Sequence, residues 1–116
     1  MAMTGSLYSV WAWLRVSGFT VKDVHRTHSY DFEVEKDAVK AIVEVKGTTS
    51  LGGSIFLTEN EVQAHRGTHP HNILILIHSI NLSQDRKAAT GGTMVVHDPW
   101  KIEDLSLAPI AYQYRF

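Results

Sequence analysis

Residues 39–80 hold the pattern that most restricts the fold: an apolar run, a polar loop, a capped helix and a second apolar run. Val39–Lys46 reads as a strand, and Gly47–Ser54, with three glycines and four hydroxyl residues, as a flexible loop. Thr58-Glu59-Asn60-Glu61 is a capping box, in which the threonine oxygen accepts the N3 amide and the glutamate accepts the threonine amide. The helix it opens is expected to end near Arg66-Gly67, with Gly67 as its C-terminal cap and Pro70 just beyond. Asn72–Ile80 is apolar almost without interruption, as a strand covered on both faces must be. Strand, helix and strand in that order imply a right-handed crossover, which sets the second strand parallel to the first.

The rest of the chain builds outward from this unit. Leu7, Val10, Trp11 and Leu14 recur at helical spacing, so Leu7–Ser17 reads as an amphipathic helix that stops at Gly18. Phe19–His25, Tyr30–Glu35 and Val39–Lys46 are three strand-like runs. Their short polar connections, Arg26–Ser29 and Lys36-Asp37, make them antiparallel neighbours. Beyond the crossover, Ser83–Gly92 reads as a polar loop and Thr93–His97 as a strand. Asp98–Trp100 reads as a turn or helix start, and Ile110–Phe116 as an edge strand. The fold class is therefore α/β, in the order helix, three strands, helix, strand, with a mixed central sheet.

At 116 residues the chain is expected to form one domain, residues 1–116. Met1–Ser6 has no basic region followed by an apolar run, so it is not a signal peptide; it is expected to be disordered or a remnant of expression. The longest aliphatic run, Ile73–Ile77, is far too short to span a membrane. The absence of cysteine leaves no disulfide framework or thiolate site, and the expectation is a soluble, cytoplasmic protein. A net charge of −1 matters most for partners. A domain that grips nucleic acid alone carries a basic excess, so a DNA-binding role here calls for a companion domain, subunit or second copy, a dimer for instance.

Chemistry concentrates on Ile42–Thr49. Successive strand residues face opposite ways, so Val43 and Val45 point to one side and Ile42, Glu44 and Lys46 to the other. Asp31, on the preceding strand, is the natural third member. Two carboxylates suit a hard cation such as Mg²⁺, or Mn²⁺ in its place, and the Val45 carbonyl could add a ligand. Lys46 could then orient the attacking water and offset charge growing on a phosphate. The hydroxyls of Thr48 and Thr49, beside that cation, are candidate phosphate contacts. The same acid-x-Lys spacing recurs by chance at Asp85-Arg86-Lys87, but in a loop. His65, His69 and His71 cluster at the end of the second helix at a spacing that fits no zinc motif, and read as solvated. His25-Arg26-Thr27 matches half of a two-histidine phosphoesterase signature, and no second half occurs.

Tyr30-Asp31-Phe32-Glu33-Val34, Ile42-Val43-Glu44-Val45-Lys46-Gly47-Thr48 and Phe56-Leu57-Thr58-Glu59-Asn60-Glu61 together resemble the PD-(D/E)XK nuclease superfamily. Within it the nearest likeness is to the domain at the C-terminus of NO VEIN proteins and its prokaryotic relatives, over residues 18–82. The resemblance implies a restriction endonuclease-like three-layer core and a Mg²⁺-dependent deoxyribonuclease, part of a restriction, defence or DNA-processing system. It also implies Asp31 and Glu44 as metal ligands and Lys46 as the catalytic lysine. Tyr30 stands where the superfamily has its proline, and the first helix carries no acidic residue where many relatives place a further ligand. These departures define the alternative: a nuclease-like fold that no longer cuts and binds nucleic acid or protein.

Overall fold

The most continuously buried strand of the sheet is Asn72–Leu82 (β4), whose first six residues, Asn72 to Ile77, are all buried. A strand with neighbours on both edges and helices on both faces has no side that tolerates charge, which is why this run is apolar. In this computed structural model residues 5–116 are described. The elements are α1 (Gly5–Val16), β1 (Thr20–Asp23), β2 (Phe32–Lys36), β3 (Val39–Gly47), α2 (Glu59–Thr68), β4, β5 (Ala89–His97) and a short 3₁₀ turn, Asp104–Ser106. The expectation for Met1–Thr4 lies outside the described residues, whereas Gly5 and Ser6, grouped with them as disordered, belong to α1.

The mixed sheet runs β1-β2-β3-β4-β5. β3 and β4 are parallel, with Glu44 beside Leu74, as the crossover requires; the other three pairings are antiparallel. Period-two alternation divides β3 between two helices. Val43 joins the core formed by Val10 and Leu14 of α1 with Phe32, Val34, Ile73, Ile75 and Ile77, and Leu7 and Trp11 pack at its margin. Each fully buried aliphatic or aromatic side chain there contributes about 1.5–3 kcal/mol relative to exposure. Ile42 and Glu44 point to the other face, where α2 lies.

Several boundaries differ from the sequence reading. Gly67 is inside α2, and the cap is His69, whose amide donates to the His65 carbonyl. His69 precedes Pro70, and the residue before a proline is pushed out of the helical region, so the proline and not the glycine ends the helix. β5 begins at Ala89, inside the expected loop, because edge pairing uses backbone groups that polar residues also possess. Gly92 allows that pairing: it has φ +98°, and a Cβ there would sit 2.9 Å from Ile77 Cγ2. Ile110–Phe116 is not a strand, and its alternating Ile110, Tyr112, Tyr114 and Phe116 are exposed. Alternation can set a face, but a strand also needs a paired edge, and this segment pairs with none among the described residues.

The β2–β3 hairpin turns through Asp37 and Ala38, at φ 52° and 64°, the geometry of a type I′ turn without its usual Asn-Gly. The Gly47–Ser54 loop is tethered to β4: Thr48 N–H donates to Ile77 O, and Ser79 and Ile80 N–H donate to Ser50 and Thr48 O. Among the described residues, no helix is long and apolar enough to cross a membrane.

Candidate active site

Asp31 lies one residue before β2, yet the sheet holds its backbone on both sides. Its N–H donates to Val43 O at 2.9 Å, and its carbonyl accepts Val24 N–H at 3.0 Å. The side chain turns onto β3, where Oδ2 accepts Val45 N–H at 2.7 Å. One strand position away, Glu44 is buried, and its carboxyl group meets those of Asp31 and Glu61. The sequence placed Asp31 and Glu44 together, and the fold does so.

Lys46 follows on the same face, but its ammonium is engaged by Glu61 of α2, with Nζ 2.8 Å from Oε2. Oε1 of Glu61 accepts Thr58 N–H at 2.8 Å, while Thr58 Oγ1 accepts Glu61 N–H at 3.1 Å. One carboxylate therefore closes the capping box and holds the lysine. Four residues along α2, His65 is fully buried, with Nε2 3.3 Å from Glu44 Oε1, yet neither atom makes a hydrogen bond, to the other or to any described residue. His65 Nδ1 lies 3.1 Å from Nδ2 of the buried Asn72, which donates to Trp100 O at 2.8 Å. The Trp100 ring meets the imidazole edge-on, centroids 4.9 Å apart.

Three carboxyl groups thus surround one lysine, and the proton balance shows the strain. Burial, followed by the charges of Asp31 and Glu61, pushes Glu44 up to about 9 against the pull of Lys46. Burial also raises Asp31, despite its bond from Val45. Burial acts upward on Glu61 too, but hydrogen bonds from Lys46 and the Thr58 amide bring it below the usual carboxylate range. Burial lowers His65 to about 4, so it is neutral at physiological pH. Among the described residues, no three His, Cys, Asp or Glu side chains are already arranged as a metal-ligand set. A cation would rest on Asp31, Glu44 and backbone or substrate oxygens, the donor set hard cations take.

The remaining candidates stand apart. Thr48 Oγ1 is 2.9 Å from Ser50 Oγ and accepts Ser50 N–H at 3.1 Å, while Thr49 is exposed. Asp85 of the chance triplet caps its own turn, accepting from Ser83 Oγ and Lys87 N–H. His25 pairs with Asp23. His69 and His71 are exposed as expected, but His65 is not solvated; it is the most buried histidine of the set and touches Glu44. Sequence reasoning missed Glu61 and His65 as site residues. Their signal was the spacing 61, 65, 68, an i, i+4, i+7 stripe carrying Glu, His and Thr where a helix packed on a sheet should carry apolar groups.

α1 packs on the Val43 side of the sheet, so its lack of an acidic residue removes nothing from the face that holds Glu44. Neither the curated proteins nor the solved structures contain a match to the chain. The family model described as Protein NO VEIN, C-terminal, matches residues 9–89, a span that includes Asp31, Glu44, Lys46, Glu61 and His65. With well over half of its 116 residues matched, the chain belongs to the NO VEIN C-terminal family.

Proposed function

We propose that this domain is a divalent-cation-dependent nuclease of the PD-(D/E)XK type, with a restriction endonuclease-like layering of α1, sheet and α2, hydrolysing DNA phosphodiester bonds. The observation that carries the reading is the excess of buried carboxyl groups. Asp31, Glu44 and Glu61 converge beside Lys46, and a buried oxygen of Glu44 has no hydrogen-bond partner among the described residues. Three anions so close together in a buried site are costly, so without a cation Glu44 keeps its proton, and a hard divalent cation is the group that would take that proton's place.

Asp31 and Glu44, with the Val45 carbonyl, would hold Mg²⁺ or Mn²⁺. When bound, such a cation supplies Lewis-acid polarisation of a phosphoryl oxygen and makes nearby water more acidic. The chain does the positioning. Val45 N–H fixes one oxygen of Asp31, leaving the other free to turn toward Glu44. Lys46, held by Glu61, presents a positive charge on the Glu44 side of β3, where it stabilises the negative charge of the pentacoordinate phosphoryl group. Hydrolysis forms one P–O bond from water and breaks another, leaving a phosphomonoester and a hydroxyl. Thr48 and Thr49 would contact the flanking backbone. Since the net charge is −1, a companion domain or second copy supplies most of the affinity for DNA.

The engagement of Lys46 by Glu61 favours a second reading, a fold that binds nucleic acid or protein without cutting. Plasmid and linear DNA incubated with the protein in Mg²⁺ or Mn²⁺, beside Glu44→Ala and Lys46→Ala, separates the two. Cleavage by the wild type that both variants lose, by a factor of at least about 10² as expected for a transition-state contact, supports the nuclease. Equal cleavage by all three proteins refutes the assignment, and retention of DNA or a protein partner without cleavage favours the binding module.

A further inference from the structure

We propose that His65 is a positioning residue for Glu44: Asn72 and the Trp100 carbonyl fix its imidazole with the proton on Nε2, and that N–H holds the Glu44 carboxylate in the orientation a divalent cation requires. The inference rests on the proposed cation site and adds a residue that acts through a ligand.

The hydrogen-bond geometry decides the tautomer. A carbonyl oxygen only accepts, so the 2.8 Å contact to Trp100 O places the amide nitrogen of Asn72, and not its oxygen, on that side. The same nitrogen is 3.1 Å from His65 Nδ1. It has a second hydrogen to give, and the ring nitrogen facing it must accept. Asn72 Oδ1 is left to accept from His69 Nδ1, 3.3 Å away, so every polar atom of this buried amide is matched. With Nδ1 an acceptor, the single proton of a neutral imidazole sits on Nε2, the ring nitrogen beside Glu44 Oε1, and these two buried atoms have no other group to satisfy them among the described residues. The edge-on Trp100 ring holds the imidazole plane.

The same logic excludes His65 as a metal ligand through Nε2. Ligation would need the lone pair there and the proton on Nδ1, which would then face the Asn72 N–H head on. At 3.3 Å, against about 2.9 Å for a typical N–H···O bond, the two atoms are adjacent but not hydrogen-bonded. The gap is expected to close once Glu44 is ionised by a bound cation, because charge-assisted bonds are shorter. Asn72 opens β4 and Trp100 follows β5, so the support for Glu44 reaches it through α2 from two elements distant in sequence.

Ring-nitrogen NMR of the ¹⁵N-labelled chain at neutral pH tests the tautomer without reference to activity. Mn²⁺ binding by the wild type, His65→Leu and His65→Gln tests the role. A protonated Nε2 with a bare Nδ1, Mn²⁺ affinity reduced about 10–100-fold in His65→Leu, and recovery of most of it in His65→Gln, whose amide can still donate, support the proposal. A proton on Nδ1, a charged imidazole, or wild-type Mn²⁺ affinity in His65→Leu overturns it. If His65→Leu does not fold, His65→Gln and the spectrum carry the test, and weak Mn²⁺ binding by a folded His65→Gln counts against donation. A wild type that binds no Mn²⁺ overturns the cation site and the positioning role with it, while the spectrum still decides the tautomer.

Discussion

Oε2 of Glu61 holds the Lys46 ammonium at 2.8 Å, while its other oxygen caps α2 through the Thr58 amide. The start of the helix and the placement of the lysine are therefore one interaction. The two functions separate by substitution. Thr58→Ala should cost about 1 kcal/mol of stability through the lost cap and leave Lys46 paired. Glu61→Gln keeps an acceptor for the Thr58 amide but sets an NH2 group against the Lys46 ammonium, so its melting temperature should fall by only a few degrees while cleavage changes about tenfold or more. Calorimetry and cleavage rates on the two variants check this; parallel loss of stability and rate in Glu61→Gln would show that the residue acts through the helix alone.

Protonation of the buried acids links stability to pH. Glu44 holds its proton up to about 9, whereas the unfolded chain releases it near 4.5. Its contribution is fully present below 4.5 and is lost as pH rises through 9. His65 runs the other way: lowered from 6.5 to about 4, it contributes above 6.5 and loses that as pH falls through 4. Between 4.5 and 6.5 the two slopes oppose; above 6.5 the loss at Glu44 is no longer offset by His65 and the cation-free protein should soften. A divalent cation replaces the Glu44 proton, so the rise in melting temperature caused by Mg²⁺ should be larger at about pH 8.5 than at about pH 6. Scanning calorimetry at both values tests this; equal rises would mean that no proton is displaced.

The β2–β3 hairpin carries a removable strain. Ala38 sits at φ 64°, where a Cβ crowds its own backbone. Ala38→Gly should stabilise the chain by up to about 1 kcal/mol, the relief at φ > 0 outweighing the added freedom of the unfolded state. Denaturant unfolding with an unchanged m-value measures it. A loss of stability would show that the turn does not hold that conformation.

The elements that local pattern controls were legible in the chain. Apolar spacing and capping chemistry placed α1, the start of α2 and the buried strand β4, and connection length set the antiparallel and parallel pairings. Alternation put Glu44 and Lys46 on one face, with Asp31 beside them. The sequence left undecided what depends on partners distant along the chain. Ile110–Phe116 has the alternation of a strand and pairs with no strand among the described residues, while Ala89–Gly92 lacks it and pairs all the same, because backbone groups carry no sequence code. His65 looks like a surface histidine until α2 docks on β3, when burial removes its charge and contact joins it to Glu44, Asn72 and Trp100. Local sequence determined which charges could meet on β3. Only tertiary packing decided that Lys46 would answer to Glu61, and that Glu44 would be buried among acids with a neutral histidine at its side.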